Sequence, residues 1–434
     1  MLVVTIVVTG GMLRLLPMLL GETKIDIDTS QMLKALNLDG TLPALSLSEI
    51  PLVSQQAGRT SEPGVIAAPQ ETPSAIQPMP QPTEQPTATP VPGGTFTITL
   101  GGSINMDDGV RQSGYYSDAK KYDFSEALSL ISGEMQSDLT MVTLENLVLP
   151  DSKVSSVNTP ADIMKTLRDV GVDVLALGYS QAYDQGMSGL SSTVAAARQA
   201  RLTTLGAYES AEDAADMRIV TLQNVKVALL HYTENLTSKG RTAMKKDGNS
   251  FAVPLMQTDK TIAGVEADIA RVRARGAQVI VVSLDWSTVS RATPTKDQIA
   301  LTQQIAEAGA DVIVGTGTRV AQPVTWLTAG SRRVLCAYSL GSLLNDGRKD
   351  GNVASLLLQL TITADGAGNV AFDRVAYTPT YIWRYRQDGK YYYRVVASDR
   401  EAPMGMGDDQ TAYKDKAFTN IRKTLGDDTP LTVR

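Results

Sequence analysis

The chain has 434 residues, with 40 Lys and Arg against 46 Asp and Glu, for a formal net charge of −6. That balance removes the electrostatic case for binding nucleic acid or an anionic membrane surface. A single cysteine, Cys336, excludes an internal disulfide, and a single histidine, His231, excludes a centre built from several imidazoles, the commonest metal ligands.

Residues 1–20, MLVVTIVVTGGMLRLLPMLL, are apolar apart from Arg14, two threonines and the Gly-Gly pair. About 20 apolar residues is the length that crosses a bilayer as a helix, so segment 1–22 is expected to be an uncleaved membrane anchor. A cleaved signal segment or a buried core helix are the alternatives, and Arg14 and Pro17 count against an uninterrupted span. Segment 23–94 follows. Its first part holds a possible short helix, TSQMLKAL, with Thr29 or Ser30 as cap. Nine of the chain's 20 prolines then fall between Pro63 and Pro92, among Gln, Thr, Glu and Ala. This composition cannot bury a core, and it reads as an extended or disordered stalk.

Gly93-Gly94 ends the stalk, and TFTITL opens a globular domain expected over 95–398. Strands are expected at 138–144, 172–177, 218–222 and 225–231, with helical periodicity at 123–136, 160–170, 188–201 and 259–275. QVIVVSLDW, a helix from Asp297 to Glu307, ADVIVG with its loop TGTRVAQPV, and VLCAYSLGS then form the stretch around which the rest is organised. Short β-branched runs that alternate with helices and end in Gly- and Ser-containing loops mark a layered α/β domain, whose loops carry the chemistry. Asp365-Gly366 and Asp388-Gly389, each between apolar runs, predict two antiparallel hairpins. The tail, 399–434, is polar with a helical piece near Ala412–Leu425 and is expected to be peripheral.

The DW after a Val-rich strand, Gln298 opening the helix, AEAGADVIVG, VAQPV and AYSLGS together resemble the bacterial capsule-synthesis CapA family. That resemblance implies a calcineurin-like metallophosphatase fold and a link to poly-γ-glutamate capsules. The framework is similar over most of residues 95–395, and the metal-binding side chains are not. Where the family has Gly-Asp after the first strand, this chain has Gly101-Gly102, with Asp107 and Asp108 nearby and expected to be solvated. Asn-Leu-Glu becomes Thr143-Leu144-Glu145, and Asn-Asn-His becomes Tyr179-Ser180-Gln181, with Asp184 and Gly186 retained for the turn into the next helix. His-Trp-Gly becomes Asp285-Trp286-Ser287, and the two histidines of Gly-His-x-His become Gly317 and Arg319. Tyr338-Ser339-Leu340-Gly341-Ser342 keeps the family's last turn without its terminal Asn.

The expected fold is therefore an α/β metallophosphatase-like sandwich of two packed mixed β-sheets with flanking helices, behind an anchor and stalk. The expected ligand-binding cleft comprises Gly102, Asn105, Glu145, Tyr179, Gln181, Asp184, Asp285, Trp286 and Arg319, with no metal and no cofactor. Arg319 offers a fixed positive charge to a carboxylate or phosphate, unless it pairs with Asp285 or Asp184. His231 is expected at the cleft edge, as a hydrogen-bonded strand-end residue. The expectation is an extracytoplasmic domain, or one secreted after signal cleavage, that binds an anionic cell-envelope polymer or an envelope protein without catalysis. The competing expectations are a hydrolase or transferase acting on such a polymer through Glu145, Asp184 and Asp285, and a purely structural spacer.

Overall fold

The computed structural model describes residues 6–9, 12–15, 93–149, 157–257, 261–287, 290–427 and 429–433. The short cap at Thr29 or Ser30 and the Pro-rich stalk lie outside them, as does most of the expected anchor. Within the anchor segment, Ile6–Thr9 and Met12–Leu15 pair as antiparallel strands, where a helix was expected. Among the described residues no helix is long and apolar enough to cross a membrane.

From Gly94 onward the chain builds two large sheets, besides a two-stranded ribbon of Tyr115–Tyr116 and Lys121–Tyr122. The first contains β1 (Gly94–Ile104), β2 (Leu139–Leu144), β3 (Val174–Ala176) and β4 (Thr203–Leu205), all parallel. The chain then crosses to the second sheet: β5 (Arg218–Leu222), β6 (Val225–Thr233), β7 (Val279–Asp285), β8 (Val312–Thr316), β9 (Val324–Ala329) and β10 (Arg332–Ala337). It returns to the first through β11 (Ser342–Leu344), β12 (Ala354–Ala364), β13 (Val370–Gln387), β14 (Lys390–Ala397) and β15 (Thr432–Val433). The orders are β14-β13-β12-β1-β2-β3-β4, with β11 beside β1 and β15 beside β13, and β9-β10-β8-β7-β6-β5. Both sheets are mixed. In the second, β6, β7, β8 and β10 run parallel while β5 and β9 close the edges antiparallel.

Both expected hairpins are present. Residues Ala354–Ala364 pair with Val370–Tyr381, and Gln387 pairs with Lys390 across Asp388-Gly389. The two runs read separately on either side of Thr378 belong to one 18-residue strand. Sequence reading missed β4 and β9, both short and the second half-exposed, so that neither carries a clear apolar alternation.

The sheets pack face to face through Phe96, Ile98 and Leu100 of β1, Val227 and Leu229 of β6, Val279 and Val281 of β7, and Val312 and Val314 of β8. The opposite face of the first sheet is covered by α2 (Asp162–Asp169) and α3 (Gly186–Gln199), which follow α1 (Asp108–Ser113) in the chain. The opposite face of the second is covered by α5 (Ala263–Ala274) and α6 (Lys296–Ala308), which follow α4 (Ser238–Asp247). The start of α6 is fixed by a capping box between Thr295 and Gln298. The Gln298 amide also donates to Gln322 Oε1 at 3.1 Å, so two polar residues of the organising stretch are buried framework.

The tail is not peripheral. Helix α7 (Asp408–Leu425) places Ala417, Ile421 and Leu425 in the core between the sheets, and it buries Lys414, whose ammonium donates to the Ser398 and Arg400 carbonyls. Its periodicity was legible; the expectation failed because so few apolar residues suffice when they enter an existing core. Ile421→Ala is expected to cost about 2–4 kcal/mol in urea unfolding, the range for a buried large-to-small change. An unchanged midpoint would return the tail to the periphery.

Candidate functional site

On four parallel strands the row that faces the opposite sheet is apolar at its start and polar at its carboxyl end. On β6 the row is Val227, Leu229, His231, Thr233; on β7 it is Val279, Val281, Ser283, Asp285; on β8 it is Val312, Val314, Thr316. Across the interface β2 contributes Leu139, Met141, Thr143 and then Glu145. Thr143 and Thr316 meet between the sheets, their hydroxyls 3.3 Å apart. The carboxyl ends of parallel strands in both sheets thus open one polar site, the usual place for a site in α/β folds.

His231 does not sit at a cleft edge. It is buried, and its ring joins the two sheets: Nε2 donates to Gly178 O at 2.7 Å, and Nδ1 lies 3.0 Å from Ser283 Oγ, from which it accepts. A carbonyl can only accept, which fixes the proton on Nε2. Gly178 and Gly206 make the room, since a Cβ at either would lie 2.7 or 2.2 Å from His231 Cδ2. Burial lowers the imidazole pKa to about 4 against the opposing Gly178 bond. The ring is neutral near pH 7 and has no lone pair left for a metal.

Glu145, Asp285 and Tyr179 form the acidic centre. Asn105 is held by Ser342, whose hydroxyl donates to its Oδ1 at 2.5 Å, and its amide donates to Glu145 Oε2 at 2.6 Å. Glu145 Oε1, Asp285 Oδ2 and the Tyr179 hydroxyl are buried with no hydrogen-bond partner among the described residues. Burial pushes the Asp285 carboxyl well above the usual carboxylate range, and the charges of Glu145 and Glu234 push it the same way. Burial also raises Glu145, opposed by a bond from Ser103, the charge of Arg319 and the Asn105 bond. Tyr179 is raised by burial and then by Glu145, Asp184 and Asp285. Two carboxyl groups in one desolvated space disfavour double ionisation, so the site holds a proton at pH values where isolated carboxylates would not.

Arg319 stands on the opposite rim with φ +58°, a left-handed conformation unusual for a residue other than glycine. The preceding residue fixes it: the buried Thr318 hydroxyl donates to Val320 O at 2.6 Å and lies 2.7 Å from Ser339 Oγ. Its guanidinium pairs with Asp107 at 3.3 Å, not with Asp285 or Asp184. Asp107 is therefore not a solvated loop residue. Burial raises its pKa, Arg319 lowers it and Asp346 raises it further. Asp108 is exposed and pairs with the buried Arg111.

Other expected cleft residues do different work. Trp286 belongs to the helix-side core of the second sheet, with Nε1 donating to Tyr338 O at 2.8 Å, because residue 286 continues the outward row of Val282 and Leu284. Asp184 is buried and accepts from the Thr237 hydroxyl that also caps α4, and it reaches the centre only through its charge on Tyr179. Gln181 contributes its carbonyl to the turn before α3. Gly102 packs where a Cβ would lie 2.3 Å from Gly341 O, so a side chain has no room. Sequence reading missed Asp346, Glu234 and Ser342. The signals available were polar residues following strands in HYTEN and in SLLND.

These donors do not fit a dinuclear transition-metal centre of the kind the resemblance implies. Among the described residues no group of three or more His, Cys, Asp or Glu is placed to hold an ion. The histidine spends both nitrogens elsewhere, and a guanidinium stands beside Glu145 at a position where such a centre would need a ligand.

A two-sheet α/β sandwich with an acidic site at its strand ends defines the class. The model of the bacterial capsule synthesis protein family PGA_cap matches residues 97–347, and the chain belongs to that family. It is 25% identical over 237 residues to "Capsule biosynthesis protein CapA" of Bacillus anthracis, covering 54% of this chain and 55% of that protein. It is also 25% identical over 235 residues to "PGA biosynthesis protein CapA" of Bacillus subtilis strain 168, covering 52% and 57%. The match thus spans about half the length of these curated relatives. Among solved structures, a Staphylococcus aureus protein provisionally named a 5'-nucleotidase aligns over 75% of this chain and 58% of that one, at TM-score 0.41 and 8% identity. A hypothetical protein from Thermus thermophilus aligns over 66% and 98%, at TM-score 0.37 and 14% identity. The fold assignment rests on the sheets themselves.

Two outcomes follow from the titrating groups. The one histidine gives one set of imidazole signals, expected in NMR to titrate near pH 4. Because its folded pKa lies below the unfolded value of about 6.5, stability is full above that value. Roughly 3 kcal/mol is then expected to be lost as pH falls toward 4. A midpoint near 6.5 would place the ring in solvent. Asp285 has the opposite sense: its raised pKa penalises the native state at neutral pH and not below about pH 4. Asp285→Asn is therefore expected to raise the melting temperature at pH 7, with the gain vanishing in acid. A lowered melting temperature at pH 7 would mean an ionised, partnered carboxylate.

Proposed function

We propose that this PGA_cap family chain is an extracytoplasmic, membrane-anchored domain that binds a cell-envelope polymer or an envelope protein and does not hydrolyse phosphoesters. The observation that carries the reading is the Arg319–Asp107 pair facing Glu145: a salt-bridged guanidinium occupies a position that the family resemblance assigns to a metal-binding histidine. Gln181, Asp285 and Gly317 stand at other histidine positions of that resemblance, and Gly102 and Thr143 at its Asp and Asn ligand positions. A cleft built this way keeps a shaped, polar opening without a metal ion to activate water. The names of the Bacillus relatives point to capsule, or PGA, biosynthesis, and poly-γ-glutamate is the polymer we put forward. Anchoring is supported by the apolar run at 1–20 and the proline-rich stretch that follows it.

A second reading is favoured by the unpartnered Glu145 Oε1, Asp285 Oδ2 and Tyr179 hydroxyl. A carboxyl pair that keeps a proton above the usual carboxylate range has the makings of a general acid and base for hydrolysis or transfer on an anionic polymer.

Elemental analysis of the purified chain separates the readings at the metal: we expect no stoichiometric Mn, Zn or Fe, and no cleavage of bis-p-nitrophenyl phosphate with those ions added. Two bound equivalents, or metal-dependent turnover, would sink the non-catalytic reading. Metal-free shortening of poly-γ-glutamate, abolished in Glu145→Gln, would establish the second. Arg319→Ala is expected to cost at most about 1 kcal/mol of stability, since the pair with Asp107 is part-exposed. A loss of about 3–5 kcal/mol would instead mark a buried pair broken on one side.

A further inference from the structure

Helix α7 walls a second cavity, of about 330 Å³, lined by Arg348, Arg384, Lys416, Tyr381, Tyr413 and Gln410 among others, with no acidic residue among the described lining residues. All of its lining residues lie beyond residue 347, where the family match ends. We propose that this cavity is an oxyanion-binding site, taking a carboxylate or phosphate group of an extended ligand.

The cations are placed for this. In a chain of net charge −6, ten arginines among the described residues find carboxylates. Among the described residues, Arg348 and Arg384 are in no ion pair. Their aromatic neighbours are neutral: Arg348 lies beside the Tyr381 hydroxyl, Arg384 lies beside that of Tyr393, and Arg384 also lies over the Tyr391 ring at 4.5 Å. Tyr381 forms the buried floor, its hydroxyl donating to Gln410 Oε1 at 3.1 Å. A guanidinium on a rigid neutral support retains its full charge and its fork for an incoming oxyanion.

The neighbouring cavity along α7 shares Asn420 with this one and adds Lys423. A chain bearing acidic groups at intervals would therefore meet a second cation on the same helix. The same helix, buried through Ala417 and Ile421, holds this wall in place.

The test is calorimetric titration of the full chain with three probes: inorganic phosphate, glutarate, and an eight-residue γ-linked glutamate oligomer. Binding of at least one probe is expected, weakening as salt is raised, and falling at least tenfold in Arg348→Gln/Arg384→Gln. Oligomer tighter than glutarate assigns a polycarboxylate; phosphate alone assigns a phosphate-bearing ligand. Lys416→Glu, at an exposed helix position, is expected to give a similar loss and decides the matter if the double variant does not fold. Arg319→Gln reads the strand-end cleft separately: affinity that survives this substitution and is lost in the Arg348/Arg384 variant belongs to the α7 cavity. If no probe binds at millimolar concentration, or if affinity persists in the Lys416 and double variants, the proposal fails. Loss in Arg319→Gln alone would move binding to the cleft and overturn this site while leaving the polymer-binding reading intact.

Discussion

Everything at the site depends on the layer between the two sheets. Packed sheets hold their inward side chains in a common core about 10 Å thick, so any polar residue in an inward row must find a partner across or along that layer. His231 meets this demand by bonding Gly178 on the opposite sheet and Ser283 on the adjacent strand. Thr143 and Thr316 meet it with each other. One position further along, Asp285 Oδ2 and Glu145 Oε1 have no such partner among the described residues. The gradient from valine to threonine to carboxylate along neighbouring rows is what turns a packed core into a site.

That arrangement also sets the charge the site tolerates. Desolvation raises the carboxyls of both Asp285 and Glu145; the charges of Glu145 and Glu234 add to the rise at Asp285, that of Asp107 adds to it at Glu145, and Arg319 opposes it at Glu145. Arg319 cannot offset it fully, because its guanidinium is shared with Asp107, which feels Asp346 as well. With more carboxyl groups than guanidinium groups around it, the cleft has no surplus positive charge. The mouth of this cleft is shaped by backbone as much as by side chains: Gly102 against Gly341, Gly317 against Trp286, and the left-handed turn at Arg319.

Much of this architecture was legible because alternation and helical periodicity are local. The β1, β6, β7 and β8 strands, the α6 helix with its Thr295–Gln298 cap, and both Asp-Gly hairpins all follow from residues within a few positions of each other. The site was legible only in outline. Glu145, Asp285 and Arg319 could be placed at strand ends from motif positions, but which carboxylate Arg319 takes depends on how a loop 212 residues away folds back. Trp286 was assigned to the cleft because it sits beside Asp285 in sequence; strand alternation sends adjacent residues to opposite faces, and only one of the two can face the other sheet. His231 was misplaced for a related reason. Its strand continues through Thr233, and the space for its ring comes from two glycines on the other sheet.

The tail makes the same point about long-range packing with a functional edge. A polar stretch with a few apolar residues reads as surface until a core is there to receive it. Once Ala417, Ile421 and Leu425 are docked between the sheets, the charged residues of α7 are carried on a rigid element, and Lys416 comes to face Arg348 and Arg384 across one cavity. Loop 345–349 links the two regions: Asp346 accepts from Gly109 at 2.8 Å beside the acidic cleft, and Arg348, two residues on, lines the basic cavity. Acidic and basic surfaces are thus set on either side of one short connection. An anionic chain repelled by the strand-end carboxylates would be drawn to the α7 side, and the division follows from where the buried residues of that helix dock.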